Sequence, residues 1–261
     1  MWGAVIGDLA GSIYEYEQSK KVSLIRKTKL IEDDSFFSDD SILTIAIIDA
    51  ILNNGDYKVY LKKYAKEYMN SIPRNLPYFE KMFSPRFTKW VYSDKEGYSS
   101  GNGAMMRISG VGYLFNSADE IIENVKLATI PSHNNPSSVE NATTVAMIIY
   151  LSRIGYSKER IIEELDLDIK YVPFKEFNMT CDTTIDNCLY ALFTSNNFEE
   201  AITKVISYGG DTDTNACIVG SMAEAMYGID KELINNIKDK LPNKFVDVLN
   251  LAYQRVKEYE K

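Results

Sequence analysis

The chain has 261 residues, 45% hydrophobic and 25% charged, the balance of an ordinary globular protein whose core needs no disulfide or structural metal. Its 29 Lys and Arg against 37 Asp and Glu give a net charge of −8, with no basic run longer than Lys20-Lys21, which argues against sequence-independent binding to a nucleic-acid backbone or an anionic membrane. Three cysteines without Cys-x-x-Cys spacing argue against a zinc cluster, and a single histidine rules out a His-rich metal site.

Met1 to Asp8 lacks the basic start and apolar length of a secretory signal, so a cytosolic protein is expected. Val22 to Ile31 looks extended. The most apolar stretch, Ile42 to Leu52, contains Thr44 and Asp49 and is too short to span a bilayer; it reads as a buried helix. Helical spacing then recurs at Tyr57, Leu61, Tyr64, Ala65 and Tyr68, and at Ala118, Ile121, Ile122, Val125 and Ala128. It returns at Ile185, Cys188, Leu189, Leu192 and Phe193, at Phe198, Ala201, Ile202, Val205 and Ile206, and at Phe245, Val248, Leu249, Ala252 and Val256. Ile169 to Phe174 is the second extended candidate. Ser93 to Gly103 and Pro131 to Ser138 read as irregular loops, of a size more often used for binding than for mere connection. With no alternating strand pair and no internal repeat, the expected fold is all-α, a compact single-domain bundle of ten or more helices spanning residues 1–261.

Two acidic segments carry the chemistry. Asp39 and Asp40 lie in Phe37-Ser38-Asp39-Asp40-Ser41-Ile42, and Asp211 and Asp213 lie in Gly209-Gly210-Asp211-Thr212-Asp213-Thr214-Asn215, each directly before a helix. Either pair alone reads as a helix cap. Together they offer more anionic oxygen than caps can use, and carboxylate and hydroxyl oxygens from short turns suit a hard cation such as Mg²⁺ or Mn²⁺. Small residues at Ala216, Gly220 and Ala223 form a seam that lets another helix approach closely and fix these ligands. Gly101-Asn102-Gly103 has two readings, a plain turn or a loop whose amides approach a phosphate. His133 alone reads as a loop hydrogen-bonder.

The ordered set Gly7-Asp8-Leu9-Ala10-Gly11-Ser12-Ile13-Tyr14-Glu15, Ser38-Asp39-Asp40-Ser41, Gly101 to Arg107, Ser132-His133 and Gly209 to Asn215 resembles the ADP-ribosylglycohydrolase family over essentially the whole chain. The resemblance implies a binuclear Mg²⁺ or Mn²⁺ site in a surface cleft, held by Ser38, Asp39, Asp40, Asp211, Asp213 and Thr214. It implies that Ser99, Ser100, Gly101, Asn102, Gly103 and His133 hold an ADP-ribose group. Glu15, with Glu17 as a competing candidate, would act at the scissile linkage, and Asp40 or Asp211 would accept a proton. The implied partner is an ADP-ribosylated protein or small molecule, and the chain is expected to act as a monomer. Ser38 and Ser41 stand where Thr is usual in the family, Ser100 where some members have a stacking Tyr, and Glu224 at a helix position that is usually small. A catalytically silent ADP-ribose-binding protein and a metal-dependent phosphohydrolase are the alternatives; oxygen side chains at all six metal positions favour an enzyme.

Overall fold

The computed structural model describes residues 1–14, 29–71, 81–173 and 177–259. Glu15, Glu17 and most of Val22 to Ile31 lie outside the described residues. Among the described ones there is no strand, only two isolated antiparallel bridges, Tyr98 with His133 and Gly101 with Thr180. The helices in chain order are α1 (Trp2–Gly11), α2 (Asp39–Leu52), α3 (Tyr57–Tyr68), α4 (Pro85–Val91), α5 (Gly103–Met106), α6 (Ser109–Leu114) and α7 (Ala118–His133). There follow α8 (Pro136–Arg153), α9 (Lys158–Glu164), α10 (Cys181–Phe193), α11 (Phe198–Ser207), α12 (Thr212–Tyr227), α13 (Lys231–Ile237) and α14 (Asn243–Tyr259). The five predicted helical faces fall on α3, α7, α10, α11 and α14, and the apolar stretch on α2, so the all-α expectation holds.

Local chemistry explains where many of these helices start. Ser38, Asp56, Ser84, Ser117, Asn135, Ser157, Asn197 and Asp230 each accept a first-turn amide through the side chain, relieving donors that have no partner inside the helix. One loop expectation needs correction. Helix α7 runs through Pro131 to His133 and α8 starts on Pro136, so the connection shrinks to Asn134 and Asn135. Pro131 is tolerated because the carbonyl it deprives of a donor belongs to Leu127, which faces solvent. Residues 169–173 form no strand either. The backbone of Val172 bonds instead to the side chain of Asn187, its amide to Oδ1 at 2.9 Å and its carbonyl to Nδ2 at 2.8 Å.

The contact that matters most for function joins the first helix to the twelfth. Gly3, Gly7 and Gly11 recur every fourth residue, so they share one face of α1. Built Cβ atoms there would lie 2.1, 1.9 and 2.2 Å from the backbone oxygens of Gly220, Ala216 and Thr212. The predicted seam on α12 therefore meets a matching seam on α1, and their backbones touch. Helix α12 also packs against α8, α10 and α11, and it is buried from Thr212 through Ala223. Glu224 does not wedge this pair apart. Its carboxylate accepts from the Gly3 amide at 2.8 Å and pairs with the Met1 amino group and the Tyr253 hydroxyl, pinning the first turn of α1.

Candidate active site

Close packing of α1 on α12 delivers a carboxylate that the sequence reading did not assign. Asp8, on α1, is fully buried, and a buried carboxylate has to be hydrogen-bonded or joined to a cation. It accepts from Ser38 N at 2.9 Å, Ser38 Oγ at 2.8 Å, Ser41 N at 3.0 Å and the Ser41 hydroxyl. Those bonds fasten α1 to the first turn of α2 and aim Asp40 inward. Asp40 Oδ2 accepts from Ser38 Oγ at 3.1 Å and Thr214 Oγ1 at 3.2 Å, while its buried Oδ1 has no partner. Asp8, Asp40 and Asp213 each place a carboxylate oxygen within 4.8 Å of the others.

Asp211 stands at the N-cap position of α12 yet makes no capping bond through its side chain. That observation weighs against the capping reading. Its Oδ2 accepts instead from Asn102 Nδ2 at 2.7 Å, across from the glycine loop. Asn102, expected to touch substrate, thus spends its amide on Asp211 and on Thr184, because both lie buried against it. Ser38 is both cap and carboxylate partner, its Oγ accepting from Asp40 N at 3.2 Å.

A cavity of about 900 Å³ opens in front of this cluster. Asp39, Asp211, Asp213 and Thr214 line it together with Ser99 to Gly103 and His133. Asp40, Ser38 and Asp8 sit behind that wall. The predicted loop is clamped on both sides. On one, Gly97 N and Ser99 N donate to Pro131 O and Ser132 O; on the other, Asn102 N donates to Met179 O at 2.8 Å and Cys181 N to Ser100 O at 2.9 Å. Gly101 N is taken by Ser99 Oγ at 3.1 Å, so neither it nor the Asn102 amide is left for a phosphate. A Cβ on Gly103 would lie 3.4 Å from His133 Nε2, and both residues line the cavity.

Electrostatics within the cluster are unfavourable to the ionised carboxylates on their own. Burial raises Asp8 and Asp211, and burial together with Asp8 and Asp211 pushes Asp39 up to about 8. Burial, then Asp8, Asp39 and Asp211, raises Asp40 well above the carboxylate range. A set of hydroxyl and carboxylate oxygens with one orphaned buried carboxylate oxygen is the donor chemistry of Mg²⁺ or Mn²⁺, so the residues fit such an ion. Arg107, which lines the cavity yet is fully buried, has its guanidinium pushed down by burial to about 10 and stays charged at neutral pH.

The family model described as ADP-ribosylglycohydrolase matches residues 1–260. This chain belongs to the ADP-ribosylglycohydrolase family. Among curated relatives, a putative ADP-ribosyl glycohydrolase of Acanthamoeba polyphaga mimivirus is 24% identical, covering 86% of this chain and 84% of that protein. ADP-ribosylhydrolase ARH3 of Mus musculus is 22% identical over 88% of this chain and 83% of its own length. The ADP-ribosyl-[dinitrogen reductase] glycohydrolase of Rhodospirillum rubrum is 21% identical over 87% and 84%. A solved structure titled ADP-ribosylglycohydrolase-related protein complex superimposes with a TM-score of 0.67 at 16% identity, covering 98% of this chain and 92% of that one. That likeness is one of fold.

Four of the five separated motifs, those holding Asp39, Gly101, Ser132 and Asp211, contribute residues to one cavity. The residue that went unassigned, Asp8, had a signal in the sequence: an acid inside the apolar run Trp2 to Gly11, next to the Gly7 of a four-residue glycine repeat. A charge in a stretch that must be buried needs partners, and Ser38 and Ser41 supply them.

Proposed function

We propose that this protein hydrolyses the glycosidic bond joining ADP-ribose to a protein side chain or small acceptor, in a reaction that depends on two divalent cations and releases ADP-ribose. The observation that carries the reading is that the acidic cluster and the Ser99 to Gly103 loop open into the same cavity. Ser38, Asp39, Asp40, Asp211, Asp213 and Thr214 would hold the cations, with Asp8 joined to Asp40 and Asp213. Mg²⁺ or Mn²⁺ supplies positive charge that offsets the carboxylates and polarises ribose hydroxyls and water.

The chain's own groups divide the remaining work. Ser99, Ser100, Gly103 and His133 would seat the diphosphate and proximal ribose, fixing the anomeric carbon where it acquires oxocarbenium character. Water would add to that carbon as its bond to the acceptor breaks, a carboxylate taking the water's proton and the acceptor leaving with a proton in its place. Of the two candidates, Asp211 borders the cavity and is oriented by Asn102, which favours it over Asp40. Glu15 would position or release the leaving group. The protein would act as a cytosolic monomer; among the described residues no helix is long and apolar enough to cross a membrane.

The test is a panel of defined ADP-ribosylated substrates with Mg²⁺ or Mn²⁺. Free ADP-ribose is the expected product, whereas AMP or inorganic phosphate would make the protein a phosphohydrolase and binding without turnover a silent descendant. Replacing Gly103 with Val should weaken ADP-ribose binding tenfold or more by calorimetry, on the order of 1.4 kcal/mol, while melting changes little. Gly103 and His133 both line the cavity, so the new side chain would crowd the ring there. Unchanged affinity would remove the ligand from this loop.

The raised carboxyl of Asp39 also sets a pH dependence. Between the unfolded carboxyl value of about 4 and about 8, the folded protein keeps a proton that the unfolded chain has released. Stability of the cation-free protein should therefore fall as pH rises through that window. Stabilisation by Mg²⁺ or Mn²⁺ should grow over the same range, because cation and proton compete for the carboxylates. Thermal melts with chelator or cation at several pH values check both slopes.

A further inference from the structure

Three side chains behind the loop form a chain of hydrogen bonds that neither the family match nor the cation site explains. Arg107 Nη2 donates to Ser132 Oγ at 2.8 Å, and Ser132 Oγ lies 2.8 Å from His133 Nδ1. Arg107 is fully buried, and Ser132 and His133 are only 4% and 6% exposed, so little water reaches the two shared contacts. A guanidinium can only donate. Ser132 Oγ therefore accepts from Arg107, and its single proton has one acceptor within reach among the described residues, His133 Nδ1. Were Nδ1 protonated, Ser132 would face two donors and its own buried proton would be stranded, at a cost of about 1–3 kcal/mol. The other ring nitrogen, Nε2, makes no hydrogen bond among the described residues and faces Gly103 and the cavity.

We propose that Arg107 is a positioning residue which, through Ser132, holds His133 as the neutral tautomer protonated on Nε2, making it a fixed hydrogen-bond donor into the cavity. The ligand atom seated there is then an acceptor, a phosphate or hydroxyl oxygen, and His133 transfers no proton during the reaction. The charges acting on the ring agree with this, since Arg107 and Arg86 both face it and, with burial, oppose imidazolium. The tautomer is independent of the function proposed above; only the identity of the acceptor, ADP-ribose, rests on it.

His133 is the only histidine in the sequence, so nitrogen NMR of the full-length protein reports on one ring. In the ligand-free protein, Nδ1 should be pyridine-like and Nε2 pyrrole-like, with the ring neutral throughout the neutral range and its titration midpoint below the ordinary histidine value. Ser132→Ala should give a mixture of tautomers or an upward-shifted titration, and Ser132→Thr, which keeps the hydroxyl, should restore one tautomer. Arg107→Gln, whose amide can accept as well as donate and carries no charge, should let the Ser132 hydroxyl turn, giving a mixture of tautomers and a raised titration midpoint. Adding ADP-ribose should move the Nε2–H resonance, and Ser132→Ala should weaken ADP-ribose binding roughly three- to tenfold, the scale of one neutral hydrogen bond. A wild-type ring protonated on Nδ1, a Ser132→Ala spectrum identical to wild type, or ADP-ribose that binds without moving the Nε2–H signal would overturn the proposal. Failure of ADP-ribose to bind at all would count against the proposed function instead, while the ligand-free spectrum would still decide the tautomer.

Discussion

Replacing Asp211 with Asn should lower turnover of an ADP-ribosylated substrate by two or more orders of magnitude, the usual scale for losing electrostatic or acid–base help in an active site. The fold should survive. Asn caps a helix about as well as Asp, and Asp211 makes no side-chain capping bond in any case. Its bond from Asn102 at 2.7 Å can be kept by the amide oxygen of the substituted residue. Removing one negative charge from beside Asp39 and Asp40 relieves repulsion that raises both of those carboxyls. Melting of the cation-free variant should be unchanged or higher than wild type, and the gain on adding Mg²⁺ or Mn²⁺ should shrink. Turnover and cation response at wild-type levels would leave Asp211 with no role in the site.

How much of this was legible in the sequence follows from what each residue reports locally. Helices with one wet face announced themselves by spacing, as Phe198, Ala201, Ile202, Val205 and Ile206 do on α11, where all five are buried. Helix α1 is buried on every side, so it has no polar stripe to set a period, and its helical state depends on α12. Pro131 and Pro136 with their Ser and Asn neighbours looked like one long loop because proline usually breaks a helix, yet one ends a helix beside an exposed carbonyl and the other starts the next. At the site, Ser38, Asp39, Asp40, Asp211, Asp213 and Thr214 were legible as adjacent oxygen donors. Asp8 was quoted in the motif but given no role, since its value comes from contacts 30 and 33 residues away. Asn102 was legible as part of the loop, but not as the support of a carboxylate 109 residues on.

The glycine seam makes a second prediction with a large effect, and two opposing terms decide its sign. In an exposed helix, Gly7→Ala would stabilise by roughly 0.8–1 kcal/mol through helix propensity. At this position the new Cβ would sit 1.9 Å from the backbone oxygen of Ala216, and a carbonyl in a packed helix cannot rotate away as a side-chain tip can. Overpacking of this kind costs typically ~1–3 kcal/mol, and a backbone clash belongs at the upper end or above it. The clash should outweigh propensity, with a fall in Tm of several degrees, given about 2–4 °C per kcal/mol for a chain approaching this size. The second readout separates a local defect from one at the site. Asp8 follows Gly7 on α1, and Asp213 lies on α12, so pushing the helices apart separates two of the three carboxylates that now lie within 4.8 Å. The Tm gain from Mg²⁺ or Mn²⁺ should therefore shrink in Gly7→Ala more than in a comparably destabilised variant away from the cluster, such as Ile161→Ala on α9, a buried residue of a helix that packs on α8. A Gly7→Ala protein as stable as wild type, with an undiminished cation response, would show that the seam can open freely and that the close approach of α1 does not build the site.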